Sequence, residues 1–279
     1  EQIPLFALES QNPIRTFDFL GITIQYEMCY TNILQVLDLS GIPLLSKDRT
    51  EEDPIVIGGG PCTYNPEPVC DFFDLFYIGE GETRYRELID LYEDCRGRGL
   101  SRQDFLKKAA CIPGIYVPSL YEVSYHEDGT IKEMKPLEEG IPERILKEMV
   151  TEVSDTYYPD KPVVPFIKVT QDRVVLEIMR GCIRGCRFCQ AGQLYRPVRE
   201  RDVEFLKKYA IAMLENTGHE EISLSSLSSS DYQKLPELID FLIEECSRRK
   251  VNISLPSLRI DAFSLDVMNK VQDVKKSSL

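Results

Sequence analysis

The chain has 279 residues, 43% of them hydrophobic and 28% charged, a balance that excludes a disordered chain and exceeds the usual size of one domain, so two are expected. Its net charge of −13 argues against broad electrostatic binding to nucleic acid, and no run approaches the ~20 apolar residues of a membrane span. Nine cysteines without a paired pattern, and no signal-type N-terminus, point to a reducing cytoplasm.

In chain order, Leu5–Leu8 and Leu20–Ile24 read as short strands, and Tyr30–Leu39 reads as a helix stopped by Gly41-Ile42-Pro43. The run Pro54–Ile57 reads as a buried strand ending on Gly58-Gly59-Gly60-Pro61. Asp74–Ile78 reads as another, ending on Gly79-Glu80-Gly81-Glu82 and followed by a helix over Thr83–Cys95. Apolar strands between helices predict a parallel, doubly wound sheet, with ligands at the carboxyl strand ends where both glycine-rich turns fall. Gly58, Gly59 and Gly79 are thus candidates for close backbone approach to a ligand, or simply tight turns. Neither turn has the spacing of a dinucleotide site.

The strand–Gly-Gly-Gly-Pro and Asp-x-Phe-x-x-Gly-Glu-Gly-Glu patterns resemble the cobalamin-binding-type domain that precedes many radical S-adenosylmethionine (SAM) domains. The resemblance covers residues 1–95. In that domain a His in an Asp-x-His-x-x-Gly loop ligates cobalt, and this chain has no such loop. Cobalamin is therefore left open as a cofactor.

Residues 96–170 read as a connector. Tyr121–Tyr125 and Thr130–Met134 alternate around the turn His126-Glu127-Asp128-Gly129, which predicts a β-hairpin with His126 an exposed turn residue. Pro136, Pro142, Pro159, Pro162 and Pro165 punctuate the rest as an extended linker.

From residue 171 the pattern becomes β/α units. Strand Val174–Met179 is followed by a cysteine loop, and a helix is expected over Asp202–Asn216. Strand Glu221–Leu224 and a helical stripe from Leu235 to Cys246 come next, then strand Asn252–Leu255 and a helix over Leu265–Val274. Repeated strand–helix units predict a parallel sheet curving toward a barrel.

The loop after the first strand carries Cys182-Ile-Arg-Gly-Cys186-Arg-Phe-Cys189. Three thiolates so close converge on one small object. Structural zinc and cysteine-held cubanes ordinarily take four ligands, and here the next cysteine, Cys246, is far along the chain. Three ligands leave a metal position open for a substrate or cosubstrate.

This Cys-x3-Cys-x2-Cys spacing, with Phe188 before the last cysteine, resembles the signature of the radical SAM enzymes. The resemblance implies a [4Fe–4S] cluster on Cys182, Cys186 and Cys189, SAM chelated to the fourth iron, and Phe188 near its adenine. It implies a partial (β/α)6 barrel, of which residues 171–279 would be the first half. The chain, opening on Glu1 rather than Met, reads as a piece of a longer protein. At the second strand end, Ser225 and Ser226 stand where the family often has Gly-Gly-Glu against the SAM amino group. Ser257 and Arg259, at the third, alternate onto one face and could meet its ribose or carboxylate. The fused architecture resembles a radical SAM group with no assigned reaction.

The expected activity is reductive cleavage of SAM to a 5′-deoxyadenosyl radical, with an electron donor of the flavodoxin or ferredoxin type and an unknown small or macromolecular substrate. The alternatives are a non-catalytic zinc or redox iron–sulfur protein, and a methyl- or methylthiotransferase; Cys62 and Cys70 are too sparse for the extra N-terminal cysteine cluster of the latter. Arginine is dense around the loop, at 173, 180, 184, 187, 196, 199 and 201. That patch could face a phosphate or carboxylate, or be a solvated loop balanced by acids elsewhere.

Overall fold

A computed structural model describes residues 3–258. Two units emerge, one through Val150 and one from Thr151 onward.

The first unit is built on a four-stranded sheet of β1 (Phe19–Thr23), β2 (Ile55–Gly59), β3 (Leu75–Tyr77) and β4 (Ile115–Tyr116), in that spatial order. β1, β2 and β3 pair in parallel, with Phe19 opposite Ile55 and Ile57 opposite Leu75. β2 and β3 are apolar runs because both their faces are covered, and Val56, Leu75 and Phe76 are fully buried. α1 (Tyr30–Leu39) follows β1 and buries Ile33 and Leu37, while α2 (Tyr85–Gly97) follows β3 and buries Leu88 and Cys95.

Three expectations change here. Leu5–Leu8 forms no strand; only Phe6 bridges Pro13. The sheet is not wholly parallel, since β4 pairs antiparallel with β3, Phe76 opposite Tyr116. The expected connector is partly core: α3 (Arg102–Ala109), opened by a capping box between Ser101 and Asp104, buries Phe105 and Leu106. Two residues of β4 are too few to show as a period, whereas Ser101-x-x-Asp104 is itself a local signal for the start of α3. β5 (Tyr121–Tyr125) and β6 (Ile131–Pro136) make the expected hairpin, with His126 exposed; the Asp128 carboxylate accepts from the Thr130 amide at 3.0 Å and hydroxyl at 2.6 Å.

A buried ionic node ties this sheet together. Asp74 Oδ2 accepts from Arg49 Nη1 (2.9 Å), Arg102 Nη2 (2.7 Å) and the Val56 amide (2.7 Å). The guanidinium of Arg49 also donates to the carbonyls of Pro43, Leu44 and Phe72, and that of Arg102 to those of Asp53 and Pro54. Such pairs need these additional bonds, because the desolvation of each charge is otherwise uncompensated, and among the described residues only the Arg102 Nε of the two guanidinium groups is buried without a partner.

Glycine at 58 and 79 has a packing reason. A Cβ on Gly58 would lie 2.4 Å from the Phe76 ring. Gly79, at φ +120°, lies under the crossing chain at Glu148, where a Cβ would stand 2.1 Å from the Glu148 carbonyl oxygen. That crossing is hydrogen-bonded on both sides, Glu80 amide to Glu148 carbonyl and Glu148 amide to Ile78 carbonyl, each at 2.9 Å. Gly79→Ala is therefore expected to lower unfolding free energy by at least about 2 kcal/mol; an unchanged urea midpoint would contradict this crossing.

The second unit contains β7 (Val174–Glu177), β8 (Met179–Arg180), α4 (Ala191–Leu194), β9 (Arg199–Glu200), α5 (Val203–Thr217), β10 (Glu221–Ser225), α6 (Leu235–Arg249) and β11 (Asn252–Ser254). Its main sheet is parallel, in the order β11-β10-β7, with Leu224 opposite Leu176 and Ile222 opposite both Val174 and Ile253. α5 and α6 are the crossovers of two successive β/α units. α5 starts where the Asp202 carboxylate accepts the Phe205 amide at 3.0 Å and stops at Gly218, φ +69°. α6 buries the expected stripe of Leu235, Leu238, Ile239, Leu242 and Cys246. The expected last helix, Leu265–Val274, and Arg259 lie outside the described residues.

Candidate metal centre

The three clustered cysteines leave the sheet at the carboxyl end of β7. β8 and β9 pair antiparallel, Met179 opposite Glu200 and Arg180 opposite Arg199, so residues 181–198 form a loop pinched at its base. Gly181, at φ +83°, begins it: a Cβ there would lie 2.7 Å from the carbonyl oxygens of both Tyr195 and Pro197, so only glycine lets the outgoing and returning chains meet. Within the loop Cys182, Cys186 and Cys189 are half-buried and not in disulfides. The Arg184 amide donates to Cys182 Sγ and the Gly192 amide to Cys189 Sγ, both at 3.4 Å, and the Cys189 amide donates to the Cys186 carbonyl at 3.0 Å. Phe188 stands 93% exposed beside them.

Among the described residues no three His, Cys, Asp or Glu side chains close on a single point. The cysteines are spread over the loop, and the donor set of three accessible thiols fits a cubane that offers each thiolate a separate iron. Elsewhere, burial pushes the Cys70 and Cys246 thiols up to about 11, as expected of packing residues.

The arginines around the loop are largely committed to acids of the same unit. Glu177, at the end of β7, accepts from Arg180 Nε at 2.9 Å and from Arg201 Nη2 at 2.6 Å. Arg201 is buried, its guanidinium lying 4.6 Å from the Tyr158 ring centroid and 5.4 Å from that of Phe205. The Tyr158 hydroxyl accepts the Glu177 amide at 2.8 Å and donates to the Val175 carbonyl at 3.1 Å. Arg184 forks onto Asp231, Nε to Oδ2 at 2.8 Å and Nη2 to Oδ1. Arg173 pairs with Glu221 at 2.6 Å, and Arg199 donates to the Pro197 and Tyr195 carbonyls. This is the internally balanced reading of the patch, carried by acids the sequence reading did not connect to it. The available signal was Glu177 itself, a charge inside an otherwise apolar strand.

Burial pushes the Glu177 carboxyl up, but the hydrogen bonds and charges of Arg180 and Arg201 outweigh it and hold it below the ordinary range. Its ion pairing therefore stabilises the unit fully above about pH 4.3, the unperturbed value, and is lost as pH falls through the lower native one. The stability gap between the parent and Glu177→Gln is expected to narrow below about pH 4 in thermal unfolding. A gap that widens there would refute the pairing.

At the second and third strand ends the serines hold each other. Ser225 faces Glu177 across the ladder, and Ser226 Oγ lies 2.9 Å from Ser229 Oγ, which donates to the Pro256 carbonyl at 2.9 Å. The Ser229 amide donates to the Ser257 carbonyl at 3.2 Å, and Ser257 is a non-glycine residue at φ +61°. Strain of that kind gathers where a site needs it. Ser228 is buried, and its hydroxyl has no hydrogen-bond partner among the described residues. Ser228 and Ser229 were not singled out in the sequence, where one serine of a run looks like another.

In the first unit, Phe76 takes the space beside Gly58 and the 148 crossing that beside Gly79. Gly59, with the Tyr85 hydroxyl 3.7 Å from its Cβ position, is less crowded.

A parallel β/α sheet with a three-cysteine loop at the end of its first strand defines the class of protein. Residues 176–277 match the radical SAM superfamily, and residues 1–118 match the N-terminal domain of radical SAM proteins. The chain thus carries a radical SAM domain with that N-terminal domain ahead of it. It is 28% identical over 269 residues to an uncharacterized protein of Methanocaldococcus jannaschii, covering 95% of this chain and 50% of that relative. The chain thus spans half the length of this relative. By fold it is similar to the cobalamin-dependent SAM radical enzyme OxsB, solved with aqua-cobalamin and SAM bound, at a TM-score of 0.50 and 19% identity over 86% of this chain and 30% of that one. It is similar also to the radical SAM methyltransferase TsrM of Kitasatospora setae, solved with cobalamin and a [4Fe–4S] cluster, at a TM-score of 0.51 and 13% identity over 92% and 48%. Among the described residues no helix is long and apolar enough to cross a membrane.

Proposed function

We propose that the protein is a radical SAM enzyme in which Cys182, Cys186 and Cys189 hold a [4Fe–4S] cluster and leave its fourth iron to SAM. The observation that carries the reading is the pinched loop at the end of β7, with three half-buried cysteines outside any disulfide, Cys182 and Cys189 receiving backbone N–H groups. When bound, such a cluster supplies the electron that splits SAM into methionine and a 5′-deoxyadenosyl radical, which takes hydrogen from a substrate. The chain's own residues hold and orient. Gly181 and the β8–β9 ribbon set the span of the loop, and the Glu177–Arg201–Tyr158 network stiffens the strand that carries it. Phe188 is assigned to the adenine, and Ser225, Ser226, Ser257 and Arg259 to the polar groups of SAM. The orphaned hydroxyl of Ser228 and the strained backbone of Ser257 support a ligand at those strand ends.

Residues 171–279 are taken as the first half of the radical SAM barrel, and residues 1–95, together with the α3 and β4 that pack into the same core, as a cobalamin-binding-like domain. Bound cobalamin in the two fold relatives supports the last, and cobalamin stays a possible cofactor although no Asp-x-His-x-x-Gly loop occurs in these residues. The electron donor is assigned to the flavodoxin or ferredoxin type and the setting to a reducing cytoplasm.

Anaerobic reconstitution of the full-length protein with iron and sulfide tests the reading. About four irons per chain and a SAM-dependent change in the EPR spectrum are expected. A single tight zinc with no response to SAM would sink it in favour of a non-catalytic metal protein.

A further inference from the structure

Arg184 does two things at once. Its backbone amide donates to Cys182 Sγ at 3.4 Å, and its guanidinium forks onto the carboxylate of Asp231, in the loop that follows β10. Asp231 is a firm anchor: its side chain is 6% exposed and its amide is bonded to the Ser228 carbonyl at 3.0 Å. The backbone around Arg184 is otherwise permissive, since Gly181 and Gly185 both have positive φ, at +83° and +34°. An amide between two such residues holds its aim only if something fixes it. A charge-assisted, two-pronged bond to a buried carboxylate does that.

From this arrangement we infer that the Arg184–Asp231 bridge is a positioning pair that holds the Arg184 N–H on the Cys182 sulfur, and so sets the reduction potential of an iron–sulfur cluster bound there. The inference rests on the cluster assignment above. Reduction places one more negative charge on the iron and its sulfurs, and an N–H aimed at a ligand sulfur favours the reduced form; hydrogen bonds to sulfur are one of the protein's levers on potential. The pair is itself nearly neutral, so its effect runs through geometry more than through net charge.

That distinction fixes the sign of the test. Arg184→Lys keeps the positive charge and loses the fork. Asp231→Ala removes a negative charge, which by field alone would raise the potential, while loss of the anchored amide lowers it. Full-length parent and both variants are reconstituted anaerobically, assayed for iron, and titrated with dithionite as the one-electron reductant while EPR follows the reduced cluster. With all three cysteines intact, iron content is expected to match the parent. In both variants the equilibrium constant for reduction is expected to fall about tenfold, a shift of about 59 mV to more negative potential. A potential that stays put or rises in Arg184→Lys overturns the inference, as does a rise in a folded Asp231→Ala. If Asp231→Ala does not fold, Arg184→Lys decides alone. A parent that never takes up four irons overturns the cluster assignment, and this inference falls with it; a loaded parent with unshifted variants overturns this inference only.

Discussion

Replacing Cys182, Cys186 or Cys189 singly by Ala is expected to strip the full-length protein of its cluster and of SAM cleavage. Removing even an outer partner of a metal ligand costs about 10–100-fold in metal affinity or activity, so loss of a direct ligand should cost more than about a hundredfold. The three positions should behave alike, because three ligands leave no spare and the next cysteine, Cys246, is buried in the α6 stripe. Iron analysis after reconstitution and methionine release from SAM measure the two effects. A single variant that keeps full iron and full cleavage would remove that cysteine from the ligand set. Cys111→Ala, at an exposed thiol of the first unit, serves as the control and should change neither.

The second large effect is on stability and lies in the first unit. Asp74→Ala leaves two guanidinium groups facing each other without their shared carboxylate, with the Arg49 side chain fully buried and that of Arg102 6% exposed. Breaking a buried pair from one side costs about 3–5 kcal/mol, a large share of the roughly 5–15 kcal/mol that holds a domain folded. It also removes the acceptor of the Val56 amide at 2.7 Å, loosening β2 against the start of β3. Urea denaturation should show a sharply lower midpoint for Asp74→Ala and a smaller loss for Asp74→Asn, which retains an acceptor oxygen. Equal midpoints for parent and Asp74→Ala would mean that the carboxylate does not hold the two arginines.

These predictions draw on different depths of information. The cysteine loop was legible in the sequence because its three cysteines lie within eight residues and so share one loop whatever the rest of the fold does. α1, β1–β3 and the second unit's β/α units were legible through hydrophobic period and glycine stops, and their bounds shift by only a few residues. β4 was not, since two residues carry no period, and α3 was swallowed by a segment read as linker.

The arginines show the other limit. Their density around the loop was plain, but their partners were not. Arg184 finds Asp231 47 positions on, Arg201 finds Glu177 24 positions back, and Asp74 finds Arg49 and Arg102 25 and 28 positions away. Apart from Glu177, a charge inside an apolar strand, nothing local in the chain marks such partners, because each pairing exists only once strands have taken their register and loops have met at one sheet end. The same holds for Gly79, whose glycine answers to Glu148 rather than to its own turn. By itself, then, the sequence determined the motif: three cysteines within eight residues, at the spacing of the radical SAM signature, on a parallel β/α scaffold. Tertiary structure alone decided which acids the arginines around that loop are spent on and what crosses over Gly79. Thiol spacing is written into consecutive residues, while charge pairing depends on what folding brings alongside.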